Sequence, residues 1–166
     1  MGSLRTKYTD ELAVLLTWLC ALLPWSVTFA SIGGITAVHV RFVPLRFLYV
    51  LGADLPGEKP FPPVWGVPDF VASEGVTTAA WIWVAGAALF TVAFGISVAY
   101  YVAEDRVAGA LPADPVRVLG GLLLAVGVVF GFATALLFQH QLGTTLPVGT
   151  LFLLLFGVVL LRVEQA

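Results

Sequence analysis

Two stretches of this chain are long, strongly apolar and free of charge, and they restrict what it can fold into. Residues 78–102 and 118–138 contain no Asp, Glu, Lys or Arg. A helix needs about 20 apolar residues to cross the hydrocarbon core of a bilayer. The whole chain is 60% hydrophobic and 11% charged, whereas soluble domains are about 25% charged. These features indicate an integral membrane protein.

The apolar pattern predicts four transmembrane helices joined by one long extracellular loop at about residues 31–77. The four spans are expected at about residues 10–30, 78–102, 118–138 and 145–161. The predicted fold class is an all-α membrane protein, a four-transmembrane-helix bundle with a small extracellular β-hairpin/loop cap. No repeat or linker divides the chain, so residues 1–166 are predicted to form a single integral membrane domain.

The distribution of Lys and Arg predicts the orientation in a cell membrane. Basic residues are enriched in short cytoplasmic segments of membrane proteins. With four spans and a cytoplasmic N-terminus, the cytoplasmic side would hold five basic residues and the long outer loop three. The five are Arg5, Lys7, Arg106, Arg117 and Arg162, and the three are Arg41, Arg46 and Lys59. We therefore expect a multi-pass protein with both termini in the cytoplasm.

The segment 33–53 is apolar enough to suggest a fifth span, but it contains two arginines and Pro44. Each arginine in the middle of a membrane helix would cost about 2.5–3.5 kcal/mol, so we reject that span. The Gly33-Gly34 pair instead favours a tight turn. We predict a β-hairpin over Ser26–Phe42 outside the hydrocarbon core, and then a short helix over Leu45–Leu51.

Small residues recur on one face of two predicted helices. Small side chains let membrane helices approach closely. We interpret this face mainly as internal packing of the bundle, with docking of another subunit as the alternative. The residues are Gly120, Gly127 and Gly131 on the third span and Ala88, Gly95 and Ala99 on the second.

Polar residues on the predicted outer side form a second candidate site. Histidine can titrate or bind a metal near neutral pH, and arginine can bind a lipid headgroup or an acidic partner. A solvated helix end or loop rim is the more common explanation of such groups. The residues are His39, Arg41, Arg46, Gln139, His140 and Gln141.

No catalytic or metal-binding motif is recognisable in the sequence. The predicted spans lack intramembrane charge at their centres, although such charge is typical of proton-driven transporters and pumps. The single cysteine, Cys20, lies in an apolar run and is expected to be a small buried side chain. We expect no cofactor and no metal. No basic patch points to nucleic acid, so the expected partners are the lipid bilayer and other membrane subunits or further copies of the chain.

The order of a span, an extracellular β segment and three further spans is similar to the claudin-like architecture, but the paired cysteines and the W-x-x-W motif of that family are missing. The motif "LLPWSVTF" at residues 22–29, with the Ala/Val-rich composition, resembles small haloarchaeal membrane proteins of unassigned function. That resemblance implies no known activity and no catalytic residues.

Two classes of function fit these observations. The first is a non-catalytic integral membrane subunit or scaffold that packs with partner proteins or lipids through its helix faces and its extracellular loop. The second is a small transporter, channel or membrane enzyme that uses the outer polar residues. The lack of intramembrane charge favours the first, so an enzyme is the less expected outcome.

Overall fold

The computed structural model describes residues 2–32, 34–52, 63–66, 74–140 and 143–163. Within these ranges the chain forms five α-helices, four β-strands and a short 3-10 helix at Val64–Gly66. The helices are α1 (Gly2–Leu22), α2 (Glu74–Val102), α3 (Glu104–Ala110), α4 (Pro115–His140) and α5 (Val148–Val163). The strands are β1 (Ser26–Ile32), β2 (Ile35–Arg41), β3 (Arg46–Leu51) and β4 (Thr144–Leu146).

The predicted all-α fold, a four-transmembrane-helix bundle with a small β cap, is wrong. The protein is a mixed α and β structure in which four strands form one antiparallel sheet. Among the described residues, two helices are long and apolar enough to cross a membrane, namely residues Val76–Val102 of α2 and all of α4. Helix α5 has 16 residues, and the apolar part of α1 runs only from Leu12 to Leu22, about half the length that a span requires.

Helix α1 ends earlier than predicted because of Pro24. A residue that precedes proline is disfavoured in the helical conformation, and α1 ends at Leu22, just before Leu23. The next residues, Ser26–Ile32, are rich in β-branched and aromatic side chains and form β1. The predicted span over residues 10–30 is therefore helix only as far as Leu22 and strand from Ser26.

The predicted hairpin over Ser26–Phe42 is confirmed. Strands β1 and β2 pair antiparallel, with Ser26 opposite Arg41 and Ile32 opposite Ile35. Gly34 has a φ of 85°, a conformation that glycine adopts without steric cost. The hairpin is part of a larger sheet with the strand order β3-β2-β1-β4, and it is not an isolated cap.

Two further predictions are wrong, and in both places the chain forms a strand. Residues 46–51, predicted as part of a helix, form β3 and pair with β2 along its length. The last span was predicted to start at residue 145, but residues 144–146 form β4 and pair with Val27–Phe29 of β1. Helix α5 begins only after Pro147. Residues 53–62 and 67–73 of the predicted extracellular loop lie outside the described residues.

The helices and the sheet share one aromatic core. Helix α4 packs against α2 on one side and α5 on the other. Trp25, which precedes β1, stacks on Phe130 of α4 with ring centroids 4.9 Å apart and lies 5.6 Å from Trp83 of α2. The indole Nε1 of Trp83 donates a hydrogen bond to the carbonyl of Val43 at 3.2 Å. These contacts hold the sheet against both long helices.

Candidate functional site

One face of the sheet, called the inner face because its side chains are the more buried, carries most of the polar strand residues, together with Ala37, Leu48 and Val50. Side chains alternate between the two faces of a strand, and residues directly opposite on paired strands share a face. The register places Ser26 beside Arg41 and Thr28 between His39 and Thr145, and Arg46 beside Arg41. The inner polar layer therefore comprises Ser26, Thr28, His39, Arg41, Arg46 and Thr145, of which all but His39 and Arg46 are buried.

Hydrogen bonds connect three members of the inner polar layer. The Nη1 of Arg41 donates to the Oγ1 of Thr28 at 2.7 Å, and this hydroxyl lies 2.9 Å from the hydroxyl of Thr145. Either threonine hydroxyl can be the donor in this second bond. The network thus connects Arg41 on β2, which is 3% exposed, through Thr28 on β1 to Thr145 on β4.

Burial changes the acid–base properties of this layer. Desolvation, with a smaller contribution from the charge of Arg46, lowers the pKa of Arg41 to about 9. Desolvation also lowers the pKa of His39 to about 4, and the charges of Arg41 and Arg46 act in the same direction. Histidine 39 is therefore neutral at pH 7, and Arg41 keeps its charge. Within the described part of the chain, the Nδ1 of His39 and the hydroxyl of Ser26 have no hydrogen-bond partner.

A groove of about 400 Å³ opens between α4 and the start of α5, beside Thr145. Three threonine hydroxyls line it, and each already has a hydrogen bond: Thr134 donates to the carbonyl of Phe130, Thr150 donates to the carbonyl of Trp25, and Thr145 bonds to Thr28. The remaining lining is mostly apolar and includes the predicted site residues Gly131 and Gln139. The groove therefore connects the inner polar layer to the outside of the molecule.

The predicted outer polar site is divided in the structure. His39, Arg41 and Arg46 lie together in the inner polar layer, whereas Gln139 and His140 are exposed at the end of α4. Gln141 lies outside the described residues. Thr28 and Thr145, which complete the network, were not predicted, because a threonine in a strand gives no sign in the sequence of which residue it will contact.

The small residues of α4 lie against α5. A Cβ atom added at Gly127 would lie 2.8 Å from the Cδ2 of Leu154, and one at Gly120 would lie 3.0 Å from the Cβ of Leu160. Both distances are shorter than ordinary van der Waals contact. At Gly131 the nearest atom, the Cγ2 of Thr150, would be 3.6 Å away, which is an ordinary contact.

The small residues of α2 are placed differently. Ala88, Gly95 and Ala99 are all exposed, and nothing lies within 4 Å of a Cβ added at Gly95. The close approach on α2 occurs instead at Gly86, where an added Cβ would collide with the ring of Phe130. Gly86 was not singled out from the sequence.

Comparison with known proteins gives a family and no function. Residues 3–165 match the model of a family described as a family of unknown function (DUF7549). No curated protein matches the chain. Among the described residues, no group of three or more His, Cys, Asp or Glu side chains could hold a metal ion.

The hydrogen-bond network predicts the effect of Thr28→Val. The substitution keeps the shape of the side chain but removes the acceptor of the Arg41 N–H and the partner of Thr145. Leaving such buried groups unsatisfied costs about 1–3 kcal/mol, and we expect that loss in unfolding of the micelle-bound protein by denaturing detergent. The control is Thr144→Val, an exposed position on β4, which should change stability by less than about 0.5 kcal/mol. Equal losses in the two variants would contradict the role of the network.

The contact between α4 and α5 predicts a second effect. Gly127→Leu forces a bulky side chain against Leu154 and should cost about 1–3 kcal/mol through overpacking. Gly121→Leu, on the same helix, is the matched control because nothing lies within 4 Å of an added Cβ there. Thermal unfolding of the purified variants measures both. A Gly127→Leu protein as stable as the control would show that the two helices do not meet at this position.

Proposed function

The chain belongs to the family of unknown function DUF7549, and on that premise we propose that it is a non-catalytic integral membrane subunit or scaffold. It packs with lipids and with partner proteins, or with further copies of itself, through the exposed faces of its helices. The resemblance to small haloarchaeal membrane proteins is part of this proposal.

One observation gives the main support for the proposed membrane location. Every exposed residue of α4 between Gly121 and Phe138 is apolar. In water such a surface would be an unfavourable apolar patch, whereas in a bilayer it faces lipid. The exposed residues in this range are Gly121, Ala125, Val128, Phe132, Ala135 and Phe138.

The geometry also supports an orientation in the cell membrane. Asp10 and Glu11 of α1 border the same pocket as Tyr101 and Glu104, so the N-terminal region lies at the α3 end of the long helices. An added Cβ at Gly120 would meet Leu160 of α5, so the C-terminal region lies at that end too. With Arg106, Arg117 and Arg162 also there, the positive-inside rule makes this end cytoplasmic. The proposed arrangement has α2 and α4 crossing the membrane and the tip of the hairpin outside.

Cysteine labelling tests this orientation. In a Cys20→Ala background, Ser31→Cys places a thiol at the exposed tip of the hairpin, and Ala110→Cys places one at the exposed end of α3. A membrane-impermeant maleimide applied to intact cells should label position 31 only, and both positions should react after the cells are lysed. Labelling of both cysteines in intact cells would contradict the arrangement.

The exposed strip of Ala88, Gly95 and Ala99 is the proposed docking face for another subunit. Small residues allow a second helix to approach closely, and among the described residues none comes within 4 Å of a Cβ added at Gly95. Purification in mild detergent should therefore give a stoichiometric complex with another protein or with further copies of the chain.

We predict that Gly95→Leu abolishes this association and leaves the stability of the isolated chain unchanged, because a Cβ at this position meets none of the residues that the structure describes. Size-exclusion chromatography with mass spectrometry measures the association, and thermal unfolding measures stability. Gly121→Leu again serves as the control, since it adds the same side chain on another helix. A wild-type protein that purifies as a lone monomer would contradict the subunit function.

A further inference from the structure

The outer face of the sheet, which points away from the inner polar layer, is apolar. Phe29 is 45% exposed, Tyr49 57% and Leu146 46%. A sheet with one face in water normally turns its polar face outward and its apolar face towards the core. This sheet has the opposite pattern. The outer apolar face comprises Val27, Phe29, Val38, Val40, Phe47, Tyr49, Leu51 and Leu146, and the register places the polar Ser31, Thr36 and Thr144 on the same side.

Part of the sheet lies beside the apolar stretch of α4, at the same level along the helix. Trp25, at the start of β1, stacks on Phe130. Thr145, the partner of Thr28, borders the same groove as Phe138. From Phe130 to Phe138 a helix rises about 12 Å, and from Trp25 to Thr28 a strand rises about 10 Å. Strand β1 therefore advances alongside the stretch of α4 whose exposed residues are all apolar.

The β2–β3 end of the sheet also reaches the middle of a long helix, in this case α2. The corner between β2 and β3 contacts the middle of that helix: Val43 and Pro44 border one apolar pocket with Phe90, Thr91 and Phe94. Trp81, whose side chain is 58% exposed, and Tyr101, 69% exposed, are separated by about 30 Å of helix, the thickness of the hydrocarbon core. Aromatic residues of this kind concentrate at the two membrane interfaces. The corner thus lies between these two levels.

Three backbone N–H groups at this deep end of the sheet have hydrogen-bond partners, as lipid surroundings require. The N–H of Trp25 donates to the carbonyl of Arg41 at 2.8 Å, and the N–H of Phe42 donates to that of Leu45 at 2.8 Å. The N–H of Val64 donates to the carbonyl of Pro44 at 3.0 Å, which covers part of the edge beside β3.

We propose that the outer apolar face of the sheet is a lipid-contacting surface, embedded in the half of the bilayer on the side of the sheet. Its occupant is the acyl chains of bilayer lipids, because the face continues the apolar exposed surface of α4 at the same depth. The inner polar layer is then shielded between the sheet and the helices, and the tip of the hairpin, with Ser31 and Thr36, reaches the headgroups. This inference rests on the proposed membrane location.

Site-directed spin labelling in phosphatidylcholine vesicles tests the proposal. Single cysteines replace Phe29, Tyr49 and Leu51 in the Cys20→Ala background and carry a nitroxide. Oxygen concentrates in the lipid interior, whereas a water-soluble nickel chelate is excluded from it. We expect high oxygen and low nickel accessibility at positions 29 and 49. Position 51 lies about 7 Å further towards the tip and should show more access to nickel.

Two reference positions separate the possible outcomes. Val128→Cys, on the exposed face of α4, reports lipid, and Ala108→Cys, on the exposed face of α3, reports water. Labels at 29 and 49 that match position 108 while position 128 reports lipid would overturn the inference and leave the proposed function standing. If position 128 also reports water, the membrane location itself fails.

A third outcome concerns a protein partner. Labels at 29 and 49 that are immobilised and reached by neither reagent would mean that a second copy of the chain covers the face, which also overturns the proposal. Circular dichroism and a monodisperse elution establish that each variant is folded. If Phe29→Cys fails that test, Leu146→Cys on β4 probes the same face.

Discussion

Helices α1 and α5 are shorter than α2 and α4, and backbone hydrogen bonds join the segment that follows α1 to the start of α5. We call this set of hydrogen bonds the junction. Helix α1 ends before Pro24, and α5 begins after Pro147, so each leaves unpaired main-chain groups. The structure brings these ends together: the N–H of Gly149 donates to the carbonyl of Pro24 at 2.9 Å, and the N–H of Thr150 donates to that of Trp25 at 3.4 Å. Only glycine fits at position 149, since an added Cβ would lie 2.5 Å from the Pro24 oxygen. In apolar surroundings, where water cannot satisfy these groups, the junction gives two N–H groups at the start of α5 their partners.

The sheet occupies the space that the shortened helices leave free. The aromatic side chains of Trp25, Phe130 and Trp83 pack together beside the junction, and Trp25 is 1% exposed. Strand β1 leaves from this point, β4 joins it immediately before α5, and the remaining strands follow outward in the order β2, β3. The inner polar layer is thus a consequence of the junction, because β1 and β4 start from fixed positions and their alternation decides which side chains face the helices.

Local patterns in the sequence predicted the features that depend on local interactions. The Gly-Gly turn and its flanking β-branched residues were sufficient for the hairpin, and the uncharged runs were sufficient for α2 and α4. Strand β3 was predicted as helix because its pairing with β2 is set by tertiary contacts that six residues do not reveal. Strand β4, with three residues, is too short for any periodicity. At the candidate site, Arg41 and His39 stood out by residue type, whereas Thr28 and Thr145 gained their role only through the register of three strands.

The arginines of residues 33–53 bear differently on a helix and on a strand. A charged side chain in the middle of a membrane helix is costly, and this argument correctly excluded a helical span. It does not exclude a strand from the membrane, because the period of two places alternate residues on one face. Arg41 and His39 are two residues apart and both turn inward, while Val38 and Val40 turn outward. In the proposed arrangement the strand carries its charge away from lipid, with the hydroxyl of Thr28 accepting from Arg41, so the charge of a segment limits its depth only once its periodicity is known.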